Sequence, residues 1–229
     1  MRTRPYRLAI LAFDEMDLLD VAGTLEVFST AGRKWNWRAI KAELVASEPG
    51  IRTTRAQLQV GPAAALESCP DPELVLIPGG YGARLALENQ PLLDYLAKVR
   101  EGLTLSLSVG LGTLVAARAG LLAGAEVAIL PALADELVAL DPSITPRTDA
   151  RTLAGPKCIT AAQNGSAIDL GLEVVARLLG KSQATGTARD LGYPWGTETL
   201  SVEILPPPSL SPPFQTADAF LNIFYFPWS

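Results

Sequence analysis

Residues 73–80 read ELVLIPGG, a short apolar run that ends in a proline and two glycines. An apolar run of this length, closed by residues that turn the chain, predicts a β-strand buried on both faces. The pattern recurs at residues 103–109 (LTLSLSV), which lead into Gly110 and Gly112. Each run therefore predicts a buried strand that ends in a glycine turn before a helix.

Short apolar runs alternate with helical patterns along most of the chain. The predicted segments are strands at residues 7–13, 42–46, 126–130 and 158–161, a hairpin at 51–60, and helices at 20–31, 91–100, 113–122, 167–179 and 182–191. Alternating strands and helices form βαβ units. The sequence therefore predicts an α/β fold with a mostly parallel sheet. In such sheets, ligands bind beyond the carboxyl ends of the strands.

The composition excludes several kinds of chemistry. The chain has no histidine, so a Ser-His-Asp triad, a Cys-His dyad and a His-ligated metal site are all impossible. Its two cysteines, Cys69 and Cys158, are too few for a cysteine-rich metal site and suit free thiols in a reducing cytoplasm. We expect a cytoplasmic protein with no metal and no cofactor.

The net charge of −5 argues against nucleic acid as a partner, because nucleic-acid binding requires clustered lysine and arginine. No stretch approaches the roughly 20 apolar residues that a membrane span needs. We therefore expect the protein to contact neither nucleic acid nor a membrane, and to have a small molecule as its ligand.

The carboxyl-terminal sequence differs in character from the rest. Residues 1–204 carry the α/β pattern, whereas residues 205–213 (LPPPSLSPP) are rich in proline and precede an aromatic segment that ends the chain at 229. Proline at this density cannot continue a helix or a sheet. Two interpretations of the tail at 205–229 stay open: it packs on its own domain, or it contacts a second subunit.

Three features at the predicted strand ends could carry chemistry. Gly79 and Gly80 let a ligand approach backbone amides closely. Gly110 occupies the strand-to-helix junction where α/β enzymes place a nucleophile on a sharp turn, but glycine supplies no side chain. Asp20 stands at the start of a helix, where it is either an N-cap or, more rarely, a carboxylate directed into a pocket.

The sequence resembles the ThiJ/PfpI superfamily in several collinear motifs. Residues 20–28 (DVAGTLEVF) resemble its DxxGPxEVF segment, and residues 76–80 (LIPGG) match its IPGG. Residues 108–122 (SVGLGTLVAARAGLL) are similar to its helix after the nucleophile turn, SVCTGSLVLAAAGLL. The most similar branches are the isonitrile hydratases and the sensor domains of AraC-type regulators. The resemblance spans residues 7–195.

The resemblance implies a flavodoxin-like three-layer α/β/α sandwich, usually a homodimer. It also implies a site in which a cysteine attacks an isonitrile carbon, an acid lies nearby, and backbone amides hold the oxyanion. In this sequence the cysteine position falls at Gly110, the following threonine at Leu111, and a family histidine near Leu130. The acid is kept as Asp20.

The predicted site therefore has Asp20 as its candidate acid or base and Gly110 at the position of a lost nucleophile. The residues predicted to line the ligand are Gly79, Gly80, Tyr81, Leu111 and Leu130.

Three hypotheses for function follow. The favoured one is a non-catalytic ligand-binding or sensor protein. The second is an isonitrile hydratase-like or amidase-like enzyme in which Asp20 activates water without covalent catalysis. The third is an interaction subunit that acts through its aromatic tail.

Overall fold

A computed structural model describes residues 4–33 and 39–196, so the predicted tail at 205–229 lies outside the described residues. The strands are β1 (Tyr6–Leu11), β2 (Ile40–Ala46), β3 (Gly50–Thr53), β4 (Gln59–Ala65), β5 (Leu74–Ile77), β6 (Leu105–Val109), β7 (Glu126–Ala128), β8 (Thr145–Arg147), β9 (Thr152–Ala154) and β10 (Cys158–Ala161). The α-helices are α1 (Leu18–Gly32), α2 (Gly82–Ala86), α3 (Gln90–Val99), α4 (Gly112–Arg118), α5 (Pro131–Leu140), α6 (Ala167–Leu179) and α7 (Lys181–Asp190).

Eight strands form one sheet in the order β3-β4-β2-β1-β5-β6-β10-β9. The neighbours from β4 to β10 are parallel, and only the edge strands β3 and β9 run antiparallel to their partners. The central register aligns Ile10 with Leu76, and Leu76 with Leu107. This sheet confirms the predicted mostly parallel α/β architecture, and its carboxyl edge is where a site is expected.

The sheet has a separate hydrophobic core on each face. Successive residues of a strand point to opposite faces, so in β1 Leu8 and Ile10 join the core under α1, α6 and α7, whereas Ala9 and Leu11 join the core under α3, α4 and α5. The three-layer α/β/α sandwich is therefore confirmed. Among the described residues, no helix is both long and apolar enough to cross a bilayer.

Helix α1 lies close to α6, which fixes the amino end of α1 at the sheet edge. A Cβ atom at Gly171 of α6 would lie 3.1 Å from the Val27 side chain, so the glycine permits this close approach. The Thr24 hydroxyl donates to the carbonyl of Asp20, 2.8 Å away, and lies 3.3 Å from the carbonyl of Ala167 at the start of α6.

The region around Pro131 differs from the sequence prediction. The strand predicted at residues 126–130 is shorter, and β7 pairs with β8 in a separate two-stranded sheet rather than in the main sheet. Pro131, directly after the predicted strand, begins α5. Proline is favoured at the first helical position because its fixed φ suits the helix and its missing N–H has no helical partner there.

Candidate functional site

Three loops meet at the carboxyl edge of the sheet. The backbone N–H of Gly79, after β5, donates to the Asp20 carboxylate with 2.7 Å between N and Oδ2. A Cβ atom at Gly79 would also lie 3.0 Å from the carbonyl oxygen of Val109, the last residue of β6. The structure therefore brings together Asp20, the glycine turn after β5, and the turn at Gly110.

Asp20 is not the N-cap of its helix. Helix α1 begins at Leu18, its N-cap is Asp17, and the Asp17 side chain makes no capping hydrogen bond. Asp20 lies in the first turn, is fully buried, and reaches across to the Gly79 amide. The N-cap interpretation is wrong, because the Asp20 carboxylate does not accept from the amides at the start of α1. It accepts from the Gly79 amide and so joins α1 to the loop after β5.

Burial gives the Asp20 carboxyl an unusual protonation equilibrium. The pKa of Asp20 is raised to about 7, and the largest cause is desolvation by burial. The hydrogen bond from Gly79 lowers the pKa, whereas the nearby Asp17 charge raises it. Within the described part of the chain, the Asp20 Oδ1 atom has no hydrogen-bond partner. Near neutral pH the group is therefore present both as an acid and as a carboxylate.

Gly110 forms the sharp turn between β6 and α4. Its φ is +52°, in the left-handed region that favours glycine. The nearest atom to a Cβ placed there would be the carbonyl oxygen of Ala162, at 3.7 Å, so the position has room for a side chain. The turn has the strand-turn-helix geometry of a nucleophile position but carries no side chain.

Two backbone amides at the glycine turns are candidate hydrogen-bond donors. Leu111 is the half-buried N-cap of α4, and Gly80 follows β5 in a left-handed conformation. Neither the Leu111 nor the Gly80 amide has a hydrogen-bond acceptor among the described residues. Free amides at a helix start and a glycine turn favour a carbonyl oxygen or a small anion.

Ser108 is not placed to act as a nucleophile. Its side chain is buried at the end of β6, and its Oγ lies 3.1 Å from the Thr113 Oγ1 atom. A serine hydroxyl attacks only when an adjacent base takes its proton, and its hydrogen-bond neighbour here is another hydroxyl.

Neither cysteine reaches the site. Cys158 begins β10, opposite Ser106, which is the amino end of the strands and not the end that carries Gly110. Cys69 lies under α3, where its carbonyl accepts a hydrogen bond from the Tyr95 hydroxyl at 2.7 Å. Both thiols are buried, and this burial raises the pKa of each. Both are free thiols, as the sequence-based interpretation expected.

The remaining predicted residues lie around the turn rather than within it. Tyr81 is exposed, and the Arg55 guanidinium stacks over its ring at 4.3 Å from the centroid. Leu130 is the N-cap of α5 and lines a cavity of about 270 Å³ that Ala162 also lines. Leu130 thus shares a cavity with Ala162, the residue whose carbonyl oxygen would lie 3.7 Å from a Cβ atom at Gly110.

Asp17 and Arg55 are site residues that the sequence analysis did not single out. The Arg55 Nη1 atom lies 3.8 Å from the Asp17 Oδ1 atom. Burial raises the pKa of Asp17, and Arg55 opposes this shift. Arg55 comes from the tip of the β3–β4 hairpin, and no local sequence pattern indicates that this tip packs on the loop before α1. In the described ranges, no cluster of three metal-ligating side chains occurs.

Comparisons with known proteins agree with this architecture. Isonitrile hydratase from Pseudomonas putida is 26% identical to this chain over 187 residues, which cover 82% of this chain and 78% of that protein. A ThiJ/PfpI family protein from Pseudomonas syringae superposes with a TM-score of 0.75 at 24% identity, over 85% of this chain and 78% of that one.

An AraC family transcriptional regulator from Pseudomonas putida superposes with a TM-score of 0.70 at 19% identity, over 82% of this chain and 100% of that one. At this level of identity both superpositions establish the fold alone. The sequence itself matches the DJ-1/PfpI family over residues 6–177, which is most of the chain. This chain therefore belongs to the DJ-1/PfpI family.

Proposed function

We propose that this protein binds a small ligand at the Asp20–Gly110 site without covalent catalysis, as a sensor or binding member of its family. The observation that carries the proposal is the turn at Gly110, which has the backbone of a nucleophile position and no side chain. Since the whole sequence contains no histidine and both cysteines lie elsewhere, no other residue supplies a thiolate or an imidazole there.

The groups that remain at the site suit recognition of an uncharged molecule. The Gly80 and Leu111 amides can donate to a carbonyl or isonitrile end of a ligand, as backbone amides at such turns do. Asp20, with a pKa of about 7, can donate a hydrogen bond when protonated and accept one when ionised. The structural similarity to an AraC family transcriptional regulator fits a sensor role.

A second candidate function is hydration by Asp20 and a water molecule. The observation that favours it is the Asp20 Oδ1 atom, which is buried without a partner among the described residues, on a carboxyl whose pKa lies near neutral pH. A general base works best when its pKa lies near the working pH. The sequence similarity to an isonitrile hydratase makes an isonitrile the natural test substrate.

The first experiment separates binding from turnover. Cyclohexyl isonitrile and N-cyclohexylformamide serve as probes, with binding followed by ligand-detected NMR and turnover by chromatography. We expect both probes to bind, and we expect the isonitrile to disappear no faster with the protein than in buffer alone. Turnover that disappears in an Asp20→Asn variant of unchanged fold would overturn the binding proposal and support the second candidate.

Restoring a thiol tests whether the rest of the site is intact. We expect Gly110→Cys to gain isonitrile hydration, because a side chain there has room and the adjacent Leu111 amide has no acceptor among the described residues. The left-handed backbone should cost the variant about 1–2 kcal/mol of stability. Hydration is measured against Gly124→Cys, a matched control at φ +69° with open space around it and no part in the site.

Equal rates in the two cysteine variants would show that the remaining site is not competent. Gain of activity confined to Gly110→Cys would support the view that the missing side chain alone separates this protein from a hydratase.

A further inference from the structure

A cleft of about 540 Å³ opens beside the amino end of α1. Its walls combine apolar side chains with a few polar groups. The apolar members are Leu18, Leu19, Ala22 and Ala56, and the polar members are Asp17, Arg55 and Asn164. Asp17 connects this cleft to the buried site, because carboxylate oxygens of Asp17 and Asp20 lie 3.6 and 3.1 Å from the same Cβ position at Gly79.

Arg55 is held in place by the backbone of its hairpin. Its own N–H donates to the carbonyl of Met16 at 3.0 Å, and the Glu15 N–H donates to the carbonyl of Thr53 at 2.8 Å. The Thr53 N–H in turn donates to the Asp14 carboxylate at 2.7 Å. These three hydrogen bonds tie the hairpin tip to the loop before α1, so the backbone that carries Arg55 is already ordered before a ligand binds.

The Arg55 guanidinium keeps its hydrogen-bonding capacity. Tyr81 stacks against its face and leaves the N–H groups at its edge free. The Asp17 oxygen at 3.8 Å is an ionic neighbour but lies beyond hydrogen-bond distance. No other acceptor for this guanidinium occurs in the described part of the chain, and Arg55 lines the cleft.

We propose that this cleft binds a small organic monocarboxylate with a short apolar body. The carboxylate pairs with the fork of N–H groups on Arg55, which matches the two oxygens of a carboxylate. The apolar body lies against Leu18, Leu19 and Ala22. The inference goes beyond the proposed function, because it assigns a second ligand class to a cleft beside the Asp20–Gly110 site.

The charges around the cleft favour a monoanion over a phosphate. A single guanidinium faces the ligand, and the Asp17 carboxylate beside it repels added negative charge. A dianion would be repelled by Asp17 about twice as strongly as a monoanion. A monocarboxylate can therefore take the place of Asp17 beside Arg55 more easily. Asp17 is free to yield, because its side chain does not cap α1.

The experiment measures binding of 4-methylpentanoate and its neutral amide by isothermal titration calorimetry on the full chain. We expect the carboxylate to bind at least about tenfold more tightly than the amide. Arg55→Gln should remove this preference, weakening the carboxylate about tenfold and leaving the amide unchanged. Thermal unfolding of each variant confirms that the fold is kept.

Arg52→Gln is the matched control. Arg52 lies in the same hairpin, but its guanidinium donates to the carbonyls of Ile51 and Glu48, away from the cleft. We expect this control to leave carboxylate affinity unchanged. Asp17→Asn, which removes the competing carboxylate, should tighten 4-methylpentanoate binding by about threefold.

Equal binding of acid and amide, undetectable binding of the acid, or equal losses in Arg52→Gln and Arg55→Gln would overturn the inference. Failure here leaves the proposed function standing if cyclohexyl isonitrile still binds in a manner that depends on Asp20. Conversely, Arg55-dependent carboxylate binding together with enzymatic turnover of the isonitrile would refute the non-catalytic proposal and keep the carboxylate cleft.

Discussion

Asp20→Asn is expected to change the free energy of unfolding differently at low and high pH. The change should be about 4 kcal/mol more stabilising above pH 7 than at pH 4. In the wild type the buried carboxyl has a pKa of about 7, whereas in the unfolded chain it returns to its ordinary value of 3.8. The folded state therefore holds one more proton than the unfolded state between these pH values. Asparagine has no proton to lose and still accepts the Gly79 hydrogen bond.

The direction of this effect follows from proton linkage. Where the folded state binds more protons, the free energy of unfolding falls as pH rises. The wild type should therefore lose stability as pH rises from about 4 to 7 and lose no more from Asp20 above that range. Asp17, whose pKa is also raised by burial, adds a loss of the same sign in both proteins.

Urea denaturation of the wild type and Asp20→Asn at several pH values between 4 and 8 checks this prediction. Asp135→Asn, on the exposed face of α5, controls for the loss of one negative charge. Parallel curves of unfolding free energy against pH for wild type and Asp20→Asn would show that the Asp20 carboxyl is not buried as described.

Gly112→Ala is expected to destabilise the fold by about 3 kcal/mol or more. A Cβ atom at this position would lie 2.3 Å from the carbonyl oxygen of Ile77 and 2.5 Å from that of Pro78. Both atoms belong to the backbone at the end of the buried central strand β5, which cannot move aside without disturbing its neighbours. The start of α4 can approach β5 only because residue 112 has no side chain.

Gly110→Ala, two residues earlier in the same turn, is the matched comparison. Its Cβ would have no neighbour closer than 3.7 Å, so only the left-handed φ of +52° opposes the change. We expect a smaller loss of about 1–2 kcal/mol. Chemical denaturation of both variants measures the difference. A Gly112→Ala protein no less stable than Gly110→Ala would contradict the close packing of α4 on β5.

Much of the architecture could be predicted from local patterns. The apolar run at 73–77 corresponds to β5, which is buried on both faces, and the amphipathic pattern at 167–179 corresponds to α6, which is buried on one face. Both kinds of burial require apolar residues at regular spacing, and this spacing is visible in the sequence. The short helix α2 leaves no such trace, and the apolar run at 126–130 predicts a strand but not its pairing with β8 outside the main sheet. Their positions depend on neighbouring segments.

The candidate site divides in the same way. The sequence predicted that Gly110 follows a strand and that Asp20 lies at the start of a helix. It also showed that the chain has no histidine. The role of Asp20 could not be predicted, because an N-cap and a buried carboxylate have the same sequence appearance. Only the approach of the Gly79 amide, 59 residues away in sequence, distinguishes them.

The sequence by itself determined the alternation of strands and helices, the glycine turns at the strand ends, and the absence of a side chain at residue 110. These are properties of single residues and of short periodic segments. Only the tertiary structure decided that the pKa of Asp20 lies near 7, that Arg55 stands beside Asp17, and that Gly112 has no room for a methyl group. Desolvation, ion pairing and close packing are set by atoms that distant segments bring together, so no local pattern records them.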